Sequence, residues 1–386
     1  MALARLVSRP GRRLGLPPSP LQVWAVEDTA VQLTWGHLPA GPVEVEADAS
    51  GVSALHPGGP GGVVVEGLPP ATTVGLRVRW DGGEASLRAR TLAPPPGALL
   101  ARLATVSDLH LGATRFGLLR TMTEPADGRD PHPLRCARAA LDEAGRWGAG
   151  LVVVKGDLVN HRRPDHFAQA GDLVDAFDRL EMVVVPGNHE VDRDTPMAVP
   201  SHLGRRRVPV VRHADHVDLP GLRVIVADTS VEHNRIGTLA RVGDEVLARA
   251  ADAPGPALVL IHHHLPPHRV PTHWPPGIAW AEGRPFLDRL ARANPRAVVS
   301  SGHSHRNRSR RHGPLVVTEV GSTKDWPGVW AGYAVHEGGI AQVVRRVQAP
   351  EAMAWTEYAR AAVLGVWGRY APGRLDQRCF THRWPR

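Results

Sequence analysis

Cysteine is nearly missing from this chain: its 386 residues hold two, Cys136 and Cys379, far apart in sequence. Two distant thiols exclude a disulfide framework and fit a reducing compartment. Long apolar runs are missing as well. Nowhere do about 18 apolar residues follow one another, and the stretch from Met1 to Pro10 has no apolar core of signal-peptide length. No membrane span is expected, and the expectation is a soluble cytoplasmic protein. Lysine is almost absent, since all but Lys155 and Lys324 of the 46 basic residues are arginine. Internal repeats are absent, as are low-complexity tracts beyond Pro- and Gly-rich linkers.

What is present divides into units, because the chain is longer than one compact domain usually is. After a tail over 1–17, residues 18–92 alternate apolar and polar positions in Val31–Trp35, Val43–Ala47 and Val74–Trp80, broken by Gly and Pro turns. Asp81-Gly82-Gly83 is a hairpin signal. About seven short strands would fill this segment as an all-β, immunoglobulin-like sandwich. The Pro-rich linker over 93–99 is a semi-rigid spacer. Residues 100–347 form the largest unit. In the remainder, 348–386, good helix formers run from Glu351 to Leu364, which suggests a helix docking back on the main unit with a basic end from Arg369 to Arg386. A lid over a site is the sharper alternative.

In the large unit, short β-rich runs at Ala104–Val106, Leu151–Val154, Met182–Val185, Ala257–Ile261 and Ala297–Val299 alternate with helical spacing over Leu134–Trp147, His166–Leu180, Asp244–Ala251 and Arg284–Ala293. That alternation predicts an α/β core. Five polar segments each follow one of the β runs: Asp108-Leu-His110, Asp157-Leu-Val-Asn160, Asn188-His189-Glu190, His262-His263-His264 and His303-Ser-His305. Ligands in open α/β sheets bind outside the carboxyl ends of the strands, where these segments lie. Any one of them alone is weak, because 21 histidines make a chance His at a strand end common. Jointly, in order, they exclude coincidence. Carboxylate, imidazole and amide donors without thiolate suit manganese, iron or zinc in a reactive site more than a structural zinc. A carboxylate such as Asp157 can bridge two ions about 3.5 to 4 Å apart, which clamps a phosphoryl group and activates a water.

These five segments resemble the calcineurin-like metallophosphoesterase family over Leu103 to Val347. The resemblance implies a four-layer α/β/β/α sandwich and two divalent metal ions. One would be held by Asp108, His110, Asp157 and His305, the other by Asp157, Asn188, His262 and His303, with Asp157 shared. His189 would contact the phosphate and protonate or stabilise the leaving oxygen. Of the three consecutive histidines His262, the first after the strand, is the expected ligand. Alternation would put His264 on its face and turn His263 away, leaving one of the three to pack or cap the loop. Glu190 reads as a hydrogen-bond partner of a ligand or as the start of a helix. The N-terminal sandwich resembles a fibronectin type III module through Trp35 and the Leu68–Val74 stretch. Purple acid phosphatases also place a β-sandwich first, but that subgroup has a Tyr ligand three residues after the shared Asp, where this chain has Asn160.

The activity implied is hydrolysis of small phosphate esters by a hydroxide activated between two metals, with phosphodiesters favoured by similarity to bacterial cyclic-nucleotide and glycerophosphodiester members. Phosphomonoesterase or nuclease activity are the alternatives, as is a catalytically weak binding or adaptor protein. The last is disfavoured because carboxylates and histidines crowded without metal would be left unpaired. Nucleic acid as a partner rests on the formal charge of +8. Arg-dominated composition rich in Ala, Gly and Pro reads as the imprint of a GC-rich bacterial genome and accounts for much of that charge. The clusters Arg205–Arg207 and Arg306, Arg308, Arg310, Arg311 read either as phosphate-holding groups or as solvated loops. Trp274, Trp280, Trp326 and Trp330 read as loop packing or as walls of a pocket.

Overall fold

The computed structural model describes residues 17–47, 50–117, 122–124, 128–191, 198–271 and 273–385. Seven strands come first: β1 (Gln22–Val26), β2 (Ala30–Leu38), β3 (Gly41–Ala47), β4 (Ser50–His56), β5 (Gly59–Glu66), β6 (Thr73–Trp80) and β7 (Gly83–Arg90). They pair antiparallel into two sheets, ordered β1-β2-β5 and β4-β3-β6-β7. The alternation in sequence is the reason. Val43 and Val45 of β3 and Val74, Leu76 and Val78 of β6 are buried, whereas Glu44, Glu46 and Arg77 between them face out. The β6–β7 turn is Asp81–Gly82, and Gly82 takes a φ of 83° that L side chains rarely adopt.

The linker leads into β8 (Leu99–Val106). There follow the two-residue hairpins β9 (Arg115–Phe116) with β10 (Met122–Thr123), and, after β11 (Leu151–Lys155) and β12 (Glu181–Val185), β13 (His202–Leu203) with β14 (Val208–Pro209). The remaining strands are β15 (Ala214–Leu219), β16 (Leu222–Ala227), β17 (Ala257–Ile261), β18 (Val298–Ser301), β19 (Arg308–His312), β20 (Leu315–Glu319), β21 (Val329–His336), β22 (Gly339–Arg346) and β23 (Phe380–Arg383). Two six-stranded sheets result, ordered β12-β11-β8-β21-β22-β23 and β15-β16-β17-β18-β20-β19. One half of the first sheet, β12-β11-β8, and the centre of the second, β16-β17-β18-β20, are parallel. Parallel strands are covered on both faces and so read as unbroken apolar runs. All five residues of β11 and of β17 are buried.

Period two along the second sheet separates two cores. Val224, Val226, Leu258, Leu260 and Val298 join a cluster that includes Leu103, Val106, Val152 and Val154 of the first sheet. Their neighbours Ile225, Ala227, Val259 and Ile261 join a second cluster with Val246 and Leu247 of helix α3 (Gly243–Ala251) and Phe286 and Leu290 of helix α4 (Trp280–Ala293). Helices α1 (His132–Arg146) and α2 (Pro164–Ala176) bury Ala137, Leu141, Phe167 and Leu173 in the first cluster. The order is helix, sheet, sheet, helix. Among the described residues no helix is long and apolar enough to cross a membrane.

The C-terminal stretch differs from the expected single helix and basic tail. It contains α5 (Pro350–Ala359), α6 (Val366–Tyr370), α7 (Leu375–Arg378) and then β23, which pairs antiparallel with β22 and covers that sheet edge. Part of the supposed basic end is buried: the Arg378 guanidinium donates to the Trp24 carbonyl at 2.9 and 3.1 Å and lies over the Trp24 ring.

Candidate metal centre

Three of the five polar segments leave their strands through unusual backbone. Asp108, His110, Asp157, His303 and His305 have φ between 49° and 64°, half of the ten described non-glycine residues with positive φ. Left-handed backbone at such residues persists only where surroundings over-determine it. Here the loops lock one another: Asp108 N–H donates to Gly156 O (3.1 Å), His110 N–H to Asp157 O (2.8 Å), and His303 N–H to the Asp108 carboxylate (3.1 Å). The buried Glu190 carboxylate accepts from the N–H groups of Asp157 (3.0 Å), Val159 (2.8 Å) and Gly187 (2.6 Å). Two glycines are required by close approach. A Cβ on Gly156 would lie 2.3 Å from His262 Nδ1, and one on Gly187 2.3 Å from Asp157 Oδ1.

All seven expected ligands and His189 meet at this place. Asp157 Oδ2 is 3.5 Å from His110 Nε2, 3.4 Å from His262 Nε2 and 4.0 Å from His189 Nε2. His305 Nε2 is 3.2 Å from Asp108 Oδ1. His303 Nδ1 is 3.1 Å from Asn188 Oδ1 and 3.3 Å from His262 Nε2. Among the described residues, potential ligand atoms within 4.8 Å of one another occur in four overlapping sets, including Asp108, His110 and His305, and Asp108, Asp157 and His262. Asp157 thus stands between the two sides of the cluster. A divalent ion fits this donor set on one further ground. The His110 ring is buried, and neither of its nitrogens has a hydrogen-bond partner; such a ring is costly without a ligand role.

Remote nitrogens of the other rings are tied to acceptors, which fixes ring orientation. His262 Nδ1 meets Lys155 O (2.8 Å), His305 Nδ1 meets Asp325 Oδ2 (2.7 Å), His303 Nε2 meets Pro275 O (3.2 Å) and His189 Nδ1 meets Asn160 O (2.6 Å). Asp325 and the Pro275 carbonyl were not foreseen from sequence. The expected alternation in the His triplet also does not hold, because β17 ends at Ile261 and period two ends with it. His263 lies 4.8 Å, ring to ring, from both His262 and His303, and its Nδ1 is 2.9 Å from Thr229 Oγ1. His264 lies nearly parallel to His303 at 5.7 Å.

Charge within the cluster is balanced by histidine. Burial alone would raise the acids, but His305 outweighs it and draws Asp108 down to about 2. His262 and His189 hold Asp157 well below the usual carboxylate range against the same burial. Burial opposes a charged His305, yet Asp325 and Asp108 push it up to about 10; Asp157 similarly raises His262 to about 9. His110 and His303, by contrast, are driven well below the ordinary value by burial. Divalent ions would take over the role of the His305 and His262 protons, so binding them releases protons. Two side chains of the Arg clusters are held by acceptors of the chain itself. Arg206 donates to the carbonyls of Val174, Phe177 and Leu180, and Arg306 to Glu319. Trp326 and Trp330 are core residues, whereas Trp274 is exposed.

The sequence pattern of the family described as calcineurin-like phosphoesterase matches residues 101–307. A protein named probable cyclic nucleotide phosphodiesterase, from Psychrobacter arcticus, is 26% identical over 184 residues, covering 45% of this chain and 63% of that protein. The aligned stretch therefore spans less than two thirds of that relative. Among solved structures, PhoD aligns at a TM-score of 0.44 with 11% identity over 87% of both chains. The purple acid phosphatase PPD1 from yellow lupin (Lupinus luteus) seeds aligns at 0.46 with 13% identity over 86% of this chain and 71% of that one.

Proposed function

We propose, from the premise that the chain belongs to the calcineurin-like phosphoesterase family, that it is a metal-dependent hydrolase of phosphate esters that favours phosphodiesters. The observation that carries the reading is Asp157 Oδ2 standing within 3.5 Å of both His110 and His262, at the meeting point of the other candidate ligands. Asp108, His110, Asp157 and His305 would hold one divalent ion, of manganese, iron or zinc, and Asp157, Asn188, His262 and His303 a second. Such ions supply neutralisation of phosphoryl charge and acidification of water. The rest falls to the chain. Asp325 and the Pro275 carbonyl orient His305 and His303. His189, held through Nδ1 by the Asn160 carbonyl, keeps Nε2 at the cleft with 27% of its side chain open to solvent. On this reading it would donate to a phosphoryl oxygen and carry a proton to the departing alkoxide. The lean toward diesters draws on the name of the Psychrobacter relative.

Residues 18–92 are read as a fibronectin type III-like module, a reading supported by the three-plus-four antiparallel strand order. The test of function is hydrolysis of bis-p-nitrophenyl phosphate against p-nitrophenyl phosphate by metal-stripped protein reloaded with manganese, zinc or iron. Diester turnover that requires metal and disappears in Asp157→Asn is expected. Turnover of neither ester, with metal bound, would sink the proposal.

A further inference from the structure

The candidate ligands are not equally hidden. Side chains of Asp108, Asp157, His110 and His262 are at most 6% exposed, whereas His305 is 15% and His189 27% exposed. A substrate must therefore enter past His189 and His305. What stands beside His305 is the C-terminal segment. Trp367 of α6 donates its indole N–H to Asp325 Oδ1 (3.2 Å), and the other oxygen of the same carboxylate holds His305 (2.7 Å). The Trp367 ring lies 6.3 Å from the His305 ring, 6.1 Å from Phe116 and 5.6 Å from Tyr370.

Tyr370 carries the wall around to the other side. Its hydroxyl meets His273 Nδ1 at 3.3 Å and Arg306, and its ring lies parallel to that of His273, which is 6.0 Å from His303. Trp367 and Tyr370 are both only partly buried. Both segments that meet at His273 and Tyr370 carry exposed apolar side chains, Val270 and Trp274 on one, Leu364 and Val366 on the other. The turn that aims α6 at the cleft is itself strained. Val363 and Leu364 have φ of 53° and 54°, a region bulky residues avoid. Asn307 N–H donates to Ala371 O at 2.9 Å and ties the far end of α6 to the loop that follows His305.

We infer that α6 forms a specificity wall beside His305, with Trp367 selecting phosphodiesters whose second alcohol carries a planar aromatic or heterocyclic ring and Tyr370, covered by the Arg306 guanidinium and the His273 ring, bracing Trp367 from behind. The inference rests on the phosphodiesterase reading of the same site and adds to it the group that this chain recognises beyond the phosphate. Faces of Trp and Tyr bind planar rings by stacking, and an apolar rim excludes water from that contact. A small alkyl ester has nothing to offer such a wall.

Two esters with one leaving group isolate the effect: phenyl p-nitrophenyl phosphate and methyl p-nitrophenyl phosphate. Wild-type, metal-loaded protein should prefer the phenyl ester in kcat/KM by about tenfold, the size expected of one stacking contact. Trp367→Leu should bring that ratio toward one with metal content retained, and Tyr370→Leu, which removes only the brace, should lower it less. Trp367→Phe, which keeps a ring and loses the N–H, should preserve most of it. Hydrolysis of both esters without a ring preference, or a preference that survives in Trp367→Leu, would overturn the wall alone. Failure of the wild type on both esters would overturn the phosphodiesterase reading and the wall with it.

Discussion

Left-handed backbone at Asp108, His110, Asp157, His303 and His305 is a cost of order 1–3 kcal/mol per residue, and the hydrogen bonds between their loops are what offset it. Side chains that touch those loops are therefore as sensitive as the ligands. Gly187→Ala would drive a Cβ to 2.3 Å from Asp157 Oδ1 and 2.5 Å from its nitrogen. A shift of Asp157 by about an ångström is expected to lower turnover about a hundredfold, with metal content by elemental analysis falling alongside it. Asp325→Asn removes the anion behind His305 and should weaken metal affinity by about ten- to a hundredfold, read by competition with a chromophoric chelator. A third residue acts on stability. Burial pushes the Glu143 carboxyl up to about 7 from 4.5, against hydrogen bonds from Gln348 N–H and Trp330. The folded state thus binds this proton more tightly than the unfolded chain. Its contribution, about 3 kcal/mol by linkage, is full below pH 4.5 and is lost as pH rises through about 7. Melting temperatures taken between pH 5 and 8 should fall more steeply for wild type than for Glu143→Gln; parallel slopes would refute this. Glu190 illustrates what sequence could and could not say at this scale. Its position at the end of the Asn188-His189 segment invited a link to the ligands, but that its carboxylate would also gather the N–H groups of Asp157 and Val159 depends on a loop distant in sequence. The Pro275 carbonyl that holds His303 has no side-chain signature at all.

Elements were legible where burial leaves a pattern. The parallel strands β11, β12 and β17 are short, apolar and bounded, so they stand out, and each carries a polar segment at its carboxyl end. Helix starts were less visible: α1 begins at His132 just before Pro133, and α4 at Trp280 with Pro285 inside it, so the apolar spacing begins later than the helix does. Strand β21 hides for another reason. Nearly every residue of it is buried, so no alternation appears, and Gly332 is kept small by the Trp147 ring, from which a Cβ would be 2.8 Å. Strand β23 is four residues in a stretch rich in Arg, where composition suggests a tail. Its pairing with β22 from Gln342↔Phe380 to Gly339↔Arg383 closes an edge. A chain ending at Cys379 is expected to melt about 5 °C lower or more and to self-associate through the opened edge, which light scattering would detect; an unchanged melting point would mean that β23 is decoration.

At the scale of the whole molecule, the question is whether the N-terminal sandwich is a tethered module or part of one folding unit. The Pro-rich linker permits either. The contacts favour the second. The Glu27 carboxylate accepts from Trp147 Nε1 (2.8 Å) and Arg345 Nε (2.6 Å), with both charged partners mostly buried. Gln32 exchanges two hydrogen bonds with the Arg346 backbone at 2.7 and 2.9 Å, and Val26 N–H points at the Cys379 sulfur. Trp24 lies under Arg378 and edge-on to Trp326, so one ring of the sandwich is core for the larger unit. Because Arg345 and Arg346 end β22, and β22 pairs with β21 beside β8, this docking is continuous with the sheet whose β8 leads into Asp108 and His110. A single cooperative thermal transition is the expectation, with sandwich and catalytic unit unfolding together. Removing residues 17–92 would take the Trp24 carbonyl and ring from Arg378 and Gln32 from the Arg346 backbone, both buried, and should abolish cooperative melting and turnover together. Glu27→Gln with Arg345→Met should show a coupling of about 0.5–3 kcal/mol in a double-mutant cycle. Two separate calorimetric transitions and no coupling would instead establish an independent module, and the role of the sandwich would then have to be sought on its outer surface.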